Sequence, residues 1–588
     1  MKPVVFEARG RPLAGMLYAP EGPDRGAGIV LCNPFGYEAI SGHRTYRALA
    51  AQLARRGFWA LRFDYDGTGD SIGDDRDPGR LAAWVASIDA ALGFLRRTSG
   101  ATSVGLFGAR FGALLAAHAA AARQDVASLA LWAPLPSGRA FLRELRAFRL
   151  LREGQQTALA PGPGVEGEEA AGFFVTPETA EGLRSVDLAK LARAPAPKVL
   201  IVPRDDVPSG EDRLAAALGA AGAQVQTAAA AGYRALLLDP HESVVPAEVL
   251  DRVTDFFERA HPLGGHVAGA AHAGAELTAR LQHEPDHPPL AGPGFVEHAV
   301  RFGPGERLFG IETVPAAGKA GPIAVVFINI GAVHRIGSNR MYVRMARRWA
   351  AAGIASLRFD LSGLGDSLPS PGQPENQLYR DDAAADVSLA LDSLAARTGA
   401  QRFALIGLCS GGYVAYYAAQ ADARVQALAL INPQTYRWQP SDGLQIKSRK
   451  AFRSTRYYRH AALSRETWLR FARGEIRVAA IALALFSRVR AAGLRRLLEL
   501  LGRGGSEVAQ ALRSVAARGT STYFLFSGDD GGIDALEEHV GRSAGKLRGH
   551  GDFRHEVIDG ADHTFSPVWS QEELERRLTA FLGSVSGP

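Results

Sequence analysis

The sequence reads as two doubly wound α/β domains placed one after the other, each a mainly parallel sheet with helices on both faces. Three observations carry that reading. Segments of the first half recur in the second at an offset of about 296 to 299 residues, too long for a solenoid unit and right for a whole domain. Short, continuously apolar runs alternate with amphipathic stretches of helical length, the pattern of parallel strands buried on both faces. A strand-turn-helix with glycine two places before and two places after its centre occurs twice, as "LFGARFGAL" at 106 to 114 and "LIGLCSGGY" at 405 to 413. A chain of 588 residues is also too long for one ordinary core.

Taken in order, "GIVLCNPFG" (28–36) matches "AVVFINIGA" (324–332), each an apolar strand running into a loop. The helix and strand of "SGHRTYRALAAQLARRGFWALRFDYDGTGDS" (41–71) match "GSNRMYVRMARRWAAAGIASLRFDLSGLGDS" (337–367). Next come the helices "WVASIDAALGFLRR" and "DDAAADVSLALDSLAAR", then the two glycine-flanked turns. Strands "SVGLFG" and "ASLALWAP" complete the centre of the first sheet. Between the copies, 259–294 is rich in Gly, Ala, Pro and His, and reads as a linker over 263–292 joining domains at 1–262 and 293–588. Its five histidines lack cysteine partners and regular spacing, so they are read as solvated rather than metal-binding.

The composition is that of a globular protein, 47% hydrophobic and 22% charged. A net charge of +6 is small for this length and does not argue for nucleic acid. Two cysteines, Cys32 and Cys409, exclude a disulfide framework and suit a reducing compartment, hence a cytoplasmic expectation. No secretory signal is visible at the start, and no apolar stretch approaches the ~20 residues of a membrane span.

A turn of this kind lifts its central residue above the sheet at a helix N-terminus, and the glycines let two backbone segments pass closely. In Gly407-Leu408-Cys409-Ser410-Gly411 the centre is Cys409; centring on Ser410 would put Leu408 where a small residue is needed. Here the sequence resembles the α/β-hydrolase superfamily over nearly all of both halves. The fragments "FDYDGTGDS" and "FDLSGLGDS" are similar to a loop of serine-aminopeptidase-like and esterase-like members, and "HRTYR" and "GRAFLREL" resemble predicted hydrolases of exosortase and exopolysaccharide systems. A thiol at the elbow is similar to dienelactone hydrolases and polyhydroxyalkanoate synthases. The resemblance implies a nucleophile, acid, histidine order. The acid is then expected in "FSGDDGG" as Asp530, with Asp529 the alternative, and the base in "GADH" as His563. It further implies an oxyanion hole from the N–H groups of Ser410 and of the loop near Gly331. Neither metal nor organic cofactor is implied.

The first copy keeps Gly108 and Gly112 but centres on Arg110, which stays protonated and cannot attack a carbonyl. Asp205 and Asp206 stand near the acid position, and His241 is out of register for the histidine. This degenerate site predicts either an internal salt bridge from Arg110 to one of those or another acid, or an anion held by Arg110 at the helix N-terminus.

The copies differ most over about 436–518, where the superfamily places a helical cap. Up to residue 503 this interval holds sixteen Lys and Arg against four acids, with aromatics interleaved. Arg453, Arg456, Tyr457 and Trp468 are the expected substrate contacts. The charge pattern fits an acidic carrier protein delivering an acyl ester or thioester, a membrane surface, or a merely solvated face. The whole sequence therefore predicts an acyl hydrolase or acyltransferase of the esterase or thioesterase class, with a non-catalytic first domain. The alternative is a binding or scaffolding protein built from two pseudo-hydrolase domains.

Overall fold

The computed structural model describes residues 1–153, 167–170, 172–207, 210–236, 238–263, 288–318, 320–438, 506–528 and 530–585. The first half contributes β1 (Lys2–Ala8), β2 (Arg11–Tyr18), β3 (Ala27–Cys32), β4 (Trp59–Phe63), β5 (Ser103–Ala109), β6 (Val126–Trp132), β7 (Glu168–Ala170), β8 (Phe173–Val175), β9 (Lys198–Val202) and β10 (Gln224–Thr227). The second contributes β11 (Leu290–Gly292), β12 (Phe295–Phe302), β13 (Leu308–Pro315), β14 (Ile323–Ile328), β15 (Ser356–Asp360), β16 (Arg402–Leu408), β17 (Val425–Ile431), β18 (Ser521–Ser527) and β19 (Phe553–Ile558).

The sheet orders are β1-β2-β4-β3-β5-β6-β9-β10 and β11-β12-β13-β15-β14-β16-β17-β18-β19. Apart from β11 and the small β7–β8 hairpin, the second order repeats the first strand for strand. In each sheet the opening strands pair antiparallel and the rest are parallel. Residues 290–292, read above as the end of a linker, are an edge strand on β12.

The apolar runs make this layered structure because both faces of each strand are covered. Val30 of β3 faces a cluster with Leu92 and Leu95 of helix Arg80–Ser99, while its neighbours Ile29 and Leu31 face Leu49, Leu53, Val253 and Phe257 of helices Tyr37–Arg55 and Ala247–Ala260. In the second sheet Val326 and Val325 divide in the same way between two clusters.

The domains meet along their antiparallel strands. Phe309 and Ile311 of β13 join a first-domain cluster that includes Met16 and Tyr18 of β2. Around this apolar contact lies a buried ion network with a crosswise pattern: Arg62 of the first domain pairs with Asp366 of the second at 2.5 Å, and Arg358 of the second pairs with Asp70 of the first at 2.6 Å. Arg358 and Asp366 stand 296 residues beyond Arg62 and Asp70, so the two links are related by the repeat itself.

Candidate active site

The strand-turn-helix of the second domain is formed by β16 and helix Ser410–Ala421. Cys409 sits between them at φ 58°, ψ −119°, a conformation costly for any residue but glycine. The flanking glycines are required by contact. A Cβ on Gly407 would lie 2.1 Å from the Gly411 carbonyl oxygen, and one on Gly411 would lie 2.6 Å from that of Asn329. Tyr342 fastens the turn from beneath, its hydroxyl donating to the Ile328 carbonyl at 3.2 Å.

Asp530 begins the helix after β18 and is buried, its Oδ1 accepting the Gly532 N–H. Its Oδ2 holds His563 Nδ1 at 2.5 Å. With Nδ1 so held, Nε2 is the nitrogen left for Cys409, whose charge acts on the same ring. Burial by itself lowers the affinity of this imidazole for its proton; the Asp530 carboxylate, and then Cys409, outweigh burial and raise it well above the usual histidine range. Cys409, His563 and Asp530 are thus brought together, while Asp529 lies outside the described residues. So do Arg453, Arg456, Tyr457, Trp468 and the rest of the basic interval from 439 to 505.

Gly331 also comes to the elbow, but its N–H donates to Ser410 Oγ at 2.9 Å. One of the two expected oxyanion donors is therefore occupied by the hydroxyl next to the thiol.

Three residues around the set carried no sequence signal. Gln434 donates to Asp530 Oδ1 at 2.8 Å and lies 3.3 Å from His563 Nδ1. Asn432, at φ 44°, donates to the His563 carbonyl at 2.8 Å. Tyr379, at φ 54°, lies beside Cys409; burial, then the thiol, push its phenol upward. Its ring stacks on Trp438 at 4.5 Å and meets Tyr413 edge-on at 5.2 Å. All lie on loops or helix faces without a motif; only the unusual backbone of Asn432 and Tyr379 marks them, and sequence does not display it.

In the first domain Arg110 repeats the conformation of Cys409, at φ 53°, ψ −117°. Its Nε donates to Glu38 at 3.0 Å, another guanidinium nitrogen pairs with Glu144, and a third donates to the Ala133 carbonyl. The internal salt bridge is therefore present, but not with the acids named above. Asp205 instead accepts the N–H groups of Gly232 and Tyr233, and Asp206 pairs with Arg204, because both sit at the start of the loop after β9 with nearer partners. His241 lies beside Glu242 at 3.9 Å, and its carbonyl accepts from Asn376 of the second domain. The loop that presents His563 in the second domain presents Tyr233 in the first, with Arg110 over its ring at 5.3 Å.

Two family models match the chain: "Alpha/beta hydrolase family" over residues 325–577 and "Serine aminopeptidase, S33" over residues 36–162. No curated protein matches. Solved structures similar to the chain include Est1E from Butyrivibrio proteoclasticus with ferulic acid bound, 18% identical, covering 43% of this chain and 99% of that one, TM-score 0.33. An alpha-beta serine hydrolase homologue from Coxiella burnetii is 18% identical over 43% of this chain and 96% of its own, TM-score 0.29. A putative hydrolase from Agrobacterium vitis S4 is 21% identical over 44% and 98%, TM-score 0.30. With a hydrolase model matched in each half and one strand order repeated in two sheets, the chain is built of two domains of the α/β-hydrolase fold, the second of them matched by the α/β-hydrolase family itself.

Proposed function

We propose that the second domain is an acyl hydrolase or acyltransferase acting on an ester or thioester through Cys409, His563 and Asp530, and that the first domain supplies no nucleophile. One observation carries this reading: Asp530 holds the imidazole of His563, and His563 engages a thiol poised on a strained, glycine-flanked elbow.

The chemistry follows from that arrangement. His563 takes the proton of Cys409, and the imidazolium is stabilised by Asp530. The sulfur attacks the carbonyl carbon, and the developing oxyanion is met by the Ser410 N–H and by the Gly331 N–H once that turns from the Ser410 hydroxyl. Collapse expels the alcohol or thiol, which takes the proton from His563 and leaves the acyl group on sulfur. Water or another acceptor, deprotonated by the same imidazole, then attacks the acyl-sulfur bond and restores the thiol. Arg110 is protonated and fully engaged with Glu38 and Glu144, so the first elbow has no comparable step.

Incubation of the full chain with an activated thioester, followed by intact mass measurement, tests the reading. Wild-type protein is expected to show an acyl adduct and turnover, and Cys409→Ala neither. Turnover by Cys409→Ala at the wild-type rate would refute it.

A further inference from the structure

Contacts from the first domain fall on two loops of the site, one bearing Gly331 and the other His563. One is the loop after β14, residues 329–340, which brings Gly331 to Ser410. Within it the His334 ring stacks on His43 of the first domain at 4.0 Å, and Arg335 pairs with Asp70 at 2.8 Å. Arg340, at the loop's end, enters the first-domain turn after β4 and donates to the carbonyls of Gly67, Gly69, Ser71 and Gly73. A guanidinium has five N–H donors in a fixed fork, so four carbonyl acceptors in one turn fix its position closely.

The other is the loop after β19 that presents His563. Its far end, Ser566, accepts from Asn339 of the first loop at 3.5 Å, so the two loops share a seam. The β7–β8 hairpin of the first domain sits on that seam. At its tip Gly172, with φ 81°, approaches so closely that a Cβ would lie 2.2 Å from Asn339 Nδ2 and 2.2 Å from the Ser566 carbonyl oxygen. Glu169 on the same hairpin accepts the Val568 N–H at 2.9 Å, just beyond Ser566.

Loops at the ends of strands have no ladder to fix them, and an error near 1 Å in a reacting group costs on the order of 100-fold in rate. We infer that the first domain is a positioning domain: its hairpin and its 67–73 turn hold the 329–340 loop and the His563 loop of the second domain in register with Cys409. This rests on the reading of Cys409 and His563 as nucleophile and base.

The test uses the full chain and the variant Gly172→Val, which lies outside the catalytic set. The readout is the rate of Cys409 alkylation by iodoacetamide between pH 5 and 9, with thioester kcat and KM alongside. Cys32 does not interfere, because burial pushes its thiol up to about 12. Wild type is expected to alkylate faster than a free thiol, because the catalytic reading has His563 take the Cys409 proton. In Gly172→Val the alkylation rate at pH 6 should fall about tenfold as the profile moves toward that of a free thiol, with kcat down about 10- to 100-fold and KM within about twofold. Leu92→Ala, a cavity in the first-domain core, should lower Tm and leave the profile alone. Should Gly172→Val fail to fold, Arg340→Lys, which loses most of the carbonyl bonds, is expected to give the same shift.

A folded Gly172→Val or Arg340→Lys with the wild-type profile and kcat overturns the inference while leaving the catalytic reading standing. An equal shift in Leu92→Ala overturns it too, because the effect would then be general destabilisation. A wild-type protein that alkylates like a free thiol and turns nothing over refutes the catalytic reading, and the inference with it.

Discussion

Arg110 and Cys409 share one backbone conformation, and what separates them is the set of charges each faces. Arg110 meets two carboxylates, Glu38 and Glu144; Glu38 is pushed upward by burial and restrained by Arg110. Replacing it, as in Arg110→Met, leaves those acids beside one another and should cost roughly 1–3 kcal/mol, read as a lower urea midpoint with Cys409 alkylation unchanged. Around Cys409 the decisive group is Asp530. Asp530→Asn keeps a helix-capping side chain but removes the charge on His563, and kcat should drop about 100- to 10,000-fold. The sign of the pH effect follows from the raised affinity of His563 for its proton. The stability it contributes is fully present below the ordinary histidine value of about 6.5 and is lost as pH rises through the raised folded value. The stability gap between wild type and Asp530→Asn should thus be widest near pH 6 and shrink toward alkaline pH, measured by urea unfolding. At this scale the convergence of Cys409, Asp530 and His563 was legible because strand-end glycines and acids mark them locally; Gln434 and Tyr379 were not, since nothing in their sequence neighbourhood specifies which loop lies over the thiol.

The elbow is the element on which the site depends, and its glycines act by contact rather than by flexibility. Gly407→Ala places a methyl group 2.1 Å from the Gly411 carbonyl oxygen and should destabilise by about 1–3 kcal/mol while abolishing thiol activation. Gly112→Ala meets the Cys32 carbonyl oxygen at the same 2.1 Å and should destabilise comparably without a direct effect on the thiol. Thermal unfolding and alkylation, run together, distinguish the two. The hairpin β7–β8 escaped the sequence reading because three-residue strands carry no usable period, and the edge strand β11 because "LAG" resembles the linker before it. The basic interval is known here by its charge alone. If it steers an acidic acyl donor, KM for that donor should rise steeply from low to physiological salt while KM for a small neutral ester stays flat, since exposed charges are screened beyond about 8–10 Å. Identical salt curves would leave it a solvated or membrane-facing surface.

Across the whole molecule the two domains are joined by the same residues twice, each copy lending an arginine to the other's aspartate. Asp70 holds both Arg335 and Arg358, and all three groups are buried. Those neighbours keep its carboxyl below the usual carboxylate range: burial by itself would raise it, and Arg335 and Arg358 outweigh that. Asp70→Asn takes one carboxylate from two buried guanidinium groups, Arg335 keeping Asp360 and Asp366 and Arg358 keeping Glu297, and should cost about 1–3 kcal/mol, with both domains losing stability in urea. The network went unread because "FDYDGTGDS" and "FDLSGLGDS" look like two copies of one local loop, and each arginine has an aspartate eight residues on in its own copy. The sequence by itself determined the layered sheets, the succession of strands and helices along the chain and the thiol elbow, because apolar period and glycine contacts act over a few residues. Tertiary structure decided which acid faces each arginine, that Tyr379 and Gln434 lie beside Cys409 and His563, and that the domain carrying Arg110 abuts the loops of the one carrying Cys409. Charge pairing and loop placement depend on proximity across some 300 residues of chain, and a buried arginine takes whichever carboxylate the packing of the two sheets brings within about 3 Å.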